Sequence, residues 1–349
     1  SIPYAVPGDV LDLELIKSRK KYYDGRIVKI REASENRIKP ECSHFGVCGG
    51  CKWQNFRYET QLEYKRKQVL DNFQRIGKLT YKTIEDIIPS DPVFYYRNKL
   101  EFTFSNRRWF TKKEFAKRDE DAGSVSRNAL GFHIPKMFDR IVNIEHCYLQ
   151  ADPSNDIRNE VYRYALEKEF DFYDVRNESG FLRNMIVRTS LQEELMLILV
   201  FAYEDKEKRE MLLDHIKDCF PDITSLMYII NTKKNDSLSD LQAHLYSGRD
   251  HILEKLSGDE RDYIFKIGPL SFFQTNPRQA AKLYKIVKDY AGLKGGELVY
   301  DLYTGTGTIA IYLSEKAERV IGIEYVEDAV KDAKKNASLN KVENVDFFA

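Results

Sequence analysis

The chain has 349 residues, and its 55 Lys plus Arg are balanced by 55 Asp plus Glu, for a formal net charge of zero. That length suits two or three domains with full cores, and the neutral balance excludes a partner held by bulk charge alone. At 42% hydrophobic, 13% aromatic and 32% charged residues it is neither disordered nor low-complexity, and its longest apolar run, residues 195–203, is under half a membrane span.

A soluble, cytoplasmic, monomeric chain with no membrane partner is expected. The opening Ser1-Ile-Pro-Tyr4 lacks Met, and Phe347-Phe-Ala349 stops inside a strand pattern, so a fragment is expected as well.

Residues 1–38 read as a small β unit. Val6-Pro-Gly-Asp9 is a turn signal, residues 10–16 alternate with period two, and 25–30 repeat the pattern. Eight basic against six acidic residues make the segment mildly positive. An OB-type barrel or an ordinary packing module both fit. Residues 57–82 follow with a basic helical pattern. From 93 to about 265 the pattern is mixed and largely β, with strands over 129–134, 140–144, 185–190, 196–202 and 226–231 and helices over 155–169 and 206–219. These imply an α+β domain with an antiparallel sheet.

Near residue 266 the character changes. Asn276-Pro277 caps a helix running to about 291. The series strand 298–303, helix 309–316, strand 319–324, helix 326–340 and a third strand from 345 is the first half of a doubly wound α/β domain.

Of five cysteines, Cys42, Cys48 and Cys51 form C-x5-C-x2-C among Gly46, Gly49 and Gly50, with Cys147 far downstream. Glycines let a short loop wrap so that thiolates converge. Four thiolates suit zinc or an iron–sulfur cluster, and spacing leaves both open. His44 is read as a loop residue, and Cys219, at a helix end, as a small buried residue.

Asp301-Leu-Tyr-Thr-Gly-Thr-Gly-Thr308 follows a strand and opens a helix. Gly305 and Gly307 permit a tight turn and close ligand approach, and Glu324 ends the next strand, where a carboxylate can accept from two ribose hydroxyls. The glycine spacing fits NAD and S-adenosylmethionine alike. Gln274, in Phe272-Phe-Gln-Thr-Asn276, reads as a surface or core glutamine that can reach a ligand at the strand ends.

Residues 57–118 carry fifteen basic against eight acidic residues, interleaved with Tyr95, Tyr96, Phe102, Phe104, Trp109 and Phe110. Basic groups neutralise phosphates and aromatics stack on unpaired bases. Leu100, Phe102 and Phe104 alternate as a sheet's core face, so Arg97, Lys99, Arg107, Arg108, Lys112 and Lys113 are the better candidates for nucleic-acid contact, a solvated basic face being the alternative.

The ordered set of motifs is similar to the iron–sulfur-containing 23S rRNA (uracil-5-)-methyltransferase family. It comprises Arg37-Ile-Lys-Pro-Glu-Cys-Ser-His-Phe45, Cys48-Gly-Gly-Cys-Lys-Trp-Gln54, Tyr96-Arg-Asn-Lys99, Phe181-Leu-Arg-Asn184, then the FFQTN, DLYTGTGT and GIE stretches, and it covers essentially the whole chain. The resemblance implies a multidomain α+β architecture. Residues 1–38 would be the remnant of an OB-like TRAM barrel, 39–265 a central iron–sulfur and RNA-binding domain, and 266–349 the truncated first part of a Rossmann-like methyltransferase domain. It implies that Cys42, Cys48, Cys51 and Cys147 hold a 4Fe–4S cluster. It also implies that Gln274, Tyr303 and Glu324, with Asp301, Gly305, Gly307 and Thr308, bind S-adenosylmethionine. Thr308 stands where relatives have Asn. Arg183 and Arg188 join the RNA contacts on this ground.

The implied substrate is RNA, 23S rRNA first and tRNA second. The implied chemistry is cysteine addition to uracil carbon 6, methyl transfer to carbon 5, proton removal and elimination. The target base is flipped from its stack to be reached. Relatives carry the nucleophile in a Ser-Cys-Asn-Pro-like motif after Asp-Pro-Pro-Arg. Neither occurs here, so nucleophile and base are expected past Ala349, with the chain alone inactive. An NAD-dependent iron–sulfur oxidoreductase and a non-catalytic RNA-binding protein are the competing readings.

Overall fold

In the computed structural model, which describes residues 1–18, 20, 22–111, 114, 115 and 126–349, the N-terminal alternation becomes an antiparallel ribbon. β1 (Val10–Ser18) pairs with β2 (Tyr23–Glu32) through a register broken at three points, and each break adds local twist. The ribbon belongs to the first of two units, residues 1–90 with 132–138; the second is 91–131 with 139–349. Lys112 and Lys113 lie outside the described residues.

In the first unit the turn at Val6–Asp9 is closed by one carboxylate. Asp9 accepts from the Val6 amide at 2.7 Å and the Ser34 amide at 3.0 Å, and it pairs with Arg37, whose guanidinium holds the carboxyl well below its usual range. Asn55 then ties the cysteine loop to the N-terminus, donating to the Tyr4 carbonyl at 2.8 Å. The expected helix over 57–82 is α1 (Tyr58–Asp71), which continues as a π-helical turn, Asn72–Gly77, and stops where Lys78 turns left-handed.

The second unit holds the expected α+β layer. Its strands are β3 (Lys99–Ser105), β4 (Ala129–His133), β5 (Ile141–Asn143), β6 (Leu182–Thr189), β7 (Leu195–Phe201), β8 (Ser225–Ile230) and β9 (Ala243–Gly248). They lie in the order β5-β4-β3-β6-β7-β8-β9. The pairs β3–β4, β3–β6, β6–β7 and β8–β9 are antiparallel and β7–β8 is parallel; α3 (Lys206–Cys219) makes that parallel crossover, as α2 (Ser154–Glu167) earlier links β5 to β6. Leu100, Phe102 and Phe104 are buried, as their alternation requires. All of β7 is buried, which is what a continuous apolar run predicts for a strand covered on both faces.

A hairpin, β10 (Ile252–Ser257) with β11 (Asp262–Ile267), leads to the C-terminal layer. There α4 (Pro277–Ala291) starts at the Asn276 cap, whose side chain accepts from the Gln279 amide at 3.0 Å. The strands β12 (Leu298–Leu302), β13 (Arg319–Ile323) and β14 (Val345–Phe348) are parallel and adjacent in that order, joined by α5 (Thr308–Leu313) and α6 (Glu327–Leu339). One apolar cluster runs through this unit, from Ile198 and Ile229 of the large sheet through Tyr263 and Phe265 to Ile311, Val320 and Phe347. Each such side chain, fully buried, stabilises by about 1.5–3 kcal/mol. Among the described residues no helix is long and apolar enough to cross a membrane.

Candidate functional site

The β12–α5 loop is built by hydrogen bonds that its own sequence supplies. Asp301, at the end of β12, accepts from the Thr304 hydroxyl at 2.6 Å and the Ala310 amide at 3.1 Å, so its carboxylate braces the loop from inside; burial pushes its pKa up. Tyr303 takes a left-handed backbone (φ 63°) and is 88% exposed, so its ring stands in solvent above the loop. Gly305 and Gly307 are left-handed for different reasons. A Cβ on Gly305 meets nothing within 4 Å, whereas one on Gly307 would meet the Phe347 ring at 2.7 Å.

Glu324 closes the arrangement. One carboxylate oxygen accepts from the Gly305 amide at 3.0 Å and the other from the Val326 amide at 2.9 Å, which holds an acidic group over the loop at the ends of adjacent parallel strands. The Thr308 hydroxyl bonds the Tyr284 hydroxyl at 3.0 Å and so ties the loop to α4. The segment carrying Gln274 is fixed to the same layer, because the Ser271 hydroxyl donates to Asp332 of α6 at 2.9 Å and Asn336 of α6 donates to the Thr306 carbonyl at 3.1 Å. Gln274 itself is half-buried, and its backbone carbonyl accepts from Asn98 at 3.1 Å. Together these residues make a glycine-lined shelf with one carboxylate beside it, a setting for the ribose of a nucleoside.

Cys42, Cys48 and Cys51 lie half-buried in the first unit, and Cys147 is a buried residue of the second, its amide donating to the Asn155 side-chain oxygen at 2.7 Å. The Gly50 amide points at the Cys48 sulfur (3.3 Å), and the Gly49 amide donates to the His133 carbonyl at 2.9 Å. Burial, and after it the nearby Cys51, push the Cys42 thiol up: two anions there repel each other, a cost that a bound cation relieves. Cysteine sulfurs are by donor type suited to zinc or an iron–sulfur cluster. His44 is buried in the loop, as expected; Cys219 is exposed on α3, contrary to expectation, because it falls on the solvent side of the helix end.

The basic candidates separate by their partners. Arg183 is 2% exposed; it donates to the Asn231, Lys233 and Asn235 carbonyls, pairs with Asp236 at 2.8 Å and lies over the Tyr173 ring. Arg188 is buried, donates to the Ser271 carbonyl at 2.8 Å, and is pulled down to about 10 by burial. A guanidinium so enclosed cannot neutralise a phosphate, so Arg183 and Arg188 leave the surface set. Arg107 pairs with Asp174 at 3.1 Å, and Arg108 pairs with Glu114 and donates to the Tyr162 hydroxyl at 3.2 Å. Lys99 is half-buried, with its pKa pulled down by desolvation and then by Arg188.

Arg97 lines a cavity of about 530 Å³ together with Tyr95, Tyr96, Asn98, Leu191 and Arg278. Aromatic faces beside guanidinium groups suit a base and its phosphate. Sequence reasoning passed over Arg278, although it directly follows the Asn276-Pro277 cap. It also passed over Glu254, beside Asn98 (3.3 Å) and the Leu191 amide (2.8 Å), whose burial raises its pKa to about 6.

The model of the tRNA (uracil-5-)-methyltransferase family matches residues 187–349. An RNA methyltransferase of Bacteroides thetaiotaomicron, not further characterized, is 50% identical over 351 residues, covering all of this chain and 76% of that protein. The chain belongs to the RNA (uracil-5-)-methyltransferase family. A second relative from Porphyromonas gingivalis, also described as an uncharacterized RNA methyltransferase, is 47% identical over all of this chain and 74% of its own length. Among solved structures, the Pyrococcus abyssi tRNA (uracil-54, C5)-methyltransferase in complex with S-adenosyl-L-homocysteine is similar over the whole chain and 74% of that chain, with a TM-score of 0.73 and 26% identity. Family membership removes the NAD-dependent oxidoreductase that the glycine spacing left open.

Proposed function

We propose that this chain binds S-adenosylmethionine on the β12–α5 loop and serves methyl transfer to carbon 5 of a uridine in RNA. The observation that carries the reading is the 3.0 Å bond from the Gly305 amide to Glu324, which sets a carboxylate beside a glycine shelf at the ends of parallel strands. There Glu324 takes the ribose hydroxyls, Gly305 and Gly307 let the nucleoside approach the backbone, and Gln274 and Tyr303 flank it. Asp301 and Thr308 hold the loop's shape from behind. The complex of the P. abyssi enzyme with S-adenosyl-L-homocysteine supports the cofactor class.

The residues of the chemistry divide the same way. An attacking thiolate adds to carbon 6, the carbon 5 enolate takes the methyl with release of S-adenosylhomocysteine, and a base removes the carbon 5 proton as the thiolate is expelled. None of the five cysteines is assigned that attack. Cys42, Cys48, Cys51 and Cys147 are assigned a 4Fe–4S cluster, zinc being the alternative; its contribution when bound is a rigid anchor for the loops around it. The domain reading is a TRAM-like module over 1–38, an RNA-binding domain over 39–265 and a methyltransferase domain from 266.

The substrate proposed is 23S rRNA, on the ordered motif set including the C-x5-C-x2-C loop. A tRNA substrate is the second reading, favoured by the family model and by the P. abyssi structure. Purification without oxygen, followed by incubation with methyl-labelled S-adenosylmethionine and either unmodified 23S rRNA or tRNA, tests both. The assay is run on this chain and on the whole polypeptide its gene encodes. Label in 5-methyluridine of one RNA names the substrate. Bound cofactor with label in neither RNA contradicts the proposal.

A further inference from the structure

Outside the cofactor loop, one group of side chains combines three different ligating chemistries. On α3, His215 and Cys219 are four residues apart and share a face, and the Cys219 Sγ lies 3.6 Å from the His215 Nε2. From α2, Glu160 brings a carboxylate oxygen to 2.6 Å from the same nitrogen. The three donor atoms all lie within 4.8 Å of one another. Tyr164 stacks on the imidazole at 3.7 Å and 7°, which fixes the ring plane.

We propose that Glu160, His215 and Cys219 form a binding site for a divalent transition-metal ion, zinc by the nature of its donors. A thiol–imidazole–carboxylate relay is the obvious competitor, but a relay uses the two ring nitrogens for its two partners. Here carboxylate and sulfur both converge on Nε2. Tetrahedral zinc needs its nitrogen and sulfur ligands about 3.6 Å apart, as found, and its nitrogen and oxygen ligands about 3.3 Å apart, so Glu160 has to withdraw by roughly 0.7 Å. Arg163 grips the carboxylate, at 2.8 Å to one oxygen and 2.5 Å to the other, and is itself paired with Glu167 at 2.6 Å, so the carboxylate keeps its orientation while it shifts. Glu160 and His215 are mostly enclosed and Cys219 is exposed, which leaves the solvent side open for water as the fourth ligand.

On binding, the metal takes the Nε2 lone pair, with the ring proton carried on Nδ1. The thiol proton passes to solvent, and the carboxylate oxygen exchanges its bond to Nε2 for the metal. Oxidation state is unchanged throughout.

Because four other cysteines are assigned to a metal under the proposed function, the test reads Cys219 alone. The full chain is alkylated with iodoacetamide with and without zinc, and modification is followed peptide by peptide by mass spectrometry. Zinc at ten times its dissociation constant should slow alkylation of Cys219 about tenfold. In H215A and in E160Q, each checked for native helix content by circular dichroism, that protection should disappear while Cys219 still reacts at its metal-free rate. Equal rates with and without zinc in the wild type overturn the site and leave an ordinary His–Glu hydrogen bond. Undiminished protection in H215A overturns it too, since the thiol would then bind metal without the imidazole.

Discussion

Two glycines two positions apart should respond differently to the same added methyl group. Both Gly305 (φ 59°) and Gly307 (φ 80°) are left-handed, so alanine at either costs about 1–2 kcal/mol in backbone energy. At 307 the new Cβ also lands 2.7 Å and 3.0 Å from two atoms of the Phe347 ring and 3.0 Å from the Ala333 Cβ. That ring is buried in the apolar cluster, so the overlap adds about 1–3 kcal/mol. G307A is therefore expected to lose about 2–5 kcal/mol, a fall of roughly 3–7 °C in the midpoint of thermal unfolding for a chain of 349 residues. G305A should lose no more than the backbone cost.

Ligand binding should reverse the order of interest. The Gly305 Cβ direction is open space in the free protein, the space assigned to the nucleoside, so G305A should weaken S-adenosylhomocysteine binding by about tenfold or more, the equivalent of at least one lost contact at about 1.4 kcal/mol. Differential scanning calorimetry and isothermal titration on both variants measure the two effects. The reasoning fails if G305A binds S-adenosylhomocysteine as tightly as wild type, or if G307A unfolds at the wild-type temperature.

Three further outcomes follow from the same geometry. E324Q retains one oxygen for the Gly305 amide but gives up the acceptor for the Val326 amide and loses the charge that accepts ribose hydroxyls, so S-adenosylhomocysteine affinity should drop by about 1.5–3 kcal/mol, read by titration. R183A removes the partner of three carbonyls and of Asp236, so urea unfolding should show a loss of about 3–5 kcal/mol, whereas R278A should leave stability alone and weaken RNA binding in a filter assay. Glu254 protonates near pH 6 when folded and near its ordinary 4.5 when unfolded, so across that window the folded state holds the extra proton. Stability should fall by about 1.3 kcal/mol as pH rises from 4.5 to 6 and by about 2 kcal/mol across the wider span from roughly pH 3.5 to 7, and E254Q should flatten that slope in urea midpoints measured across the range.

Local patterns reported what local forces determine. The helix read over 206–219 has those bounds in the structure because Asp205 caps it, accepting from the Lys208 amide at 3.1 Å. Leu100, Phe102 and Phe104 were legible as a core face because strand side chains alternate by two. The glycine loop and Glu324 were legible because a tight turn and a strand end lie at fixed offsets along the chain. The burial of Arg183 was not, since its partners at 231–236 are some fifty residues away and an arginine in a strand ordinarily reads as surface. The hairpin Ile252–Ile267 escaped notice because a charged residue, Glu254, holds an inward position between Ile252 and Leu256 while apolar Leu253 and Ile264 hold outward ones, so neither strand alternates cleanly. Cys219 was misread as buried because at a helix end the side that faces solvent is set by what packs against the helix, not by residue type.

The most direct measurement concerns the atom that accepts the methyl group. RNA carrying tritium at carbon 5 of its uridines would be incubated anaerobically with S-adenosylmethionine and the polypeptide that contains this chain. Transfer to carbon 5 predicts one tritium released to water for each 5-methyluridine formed. Methylation without tritium release would place the methyl group elsewhere on the RNA and contradict the central claim.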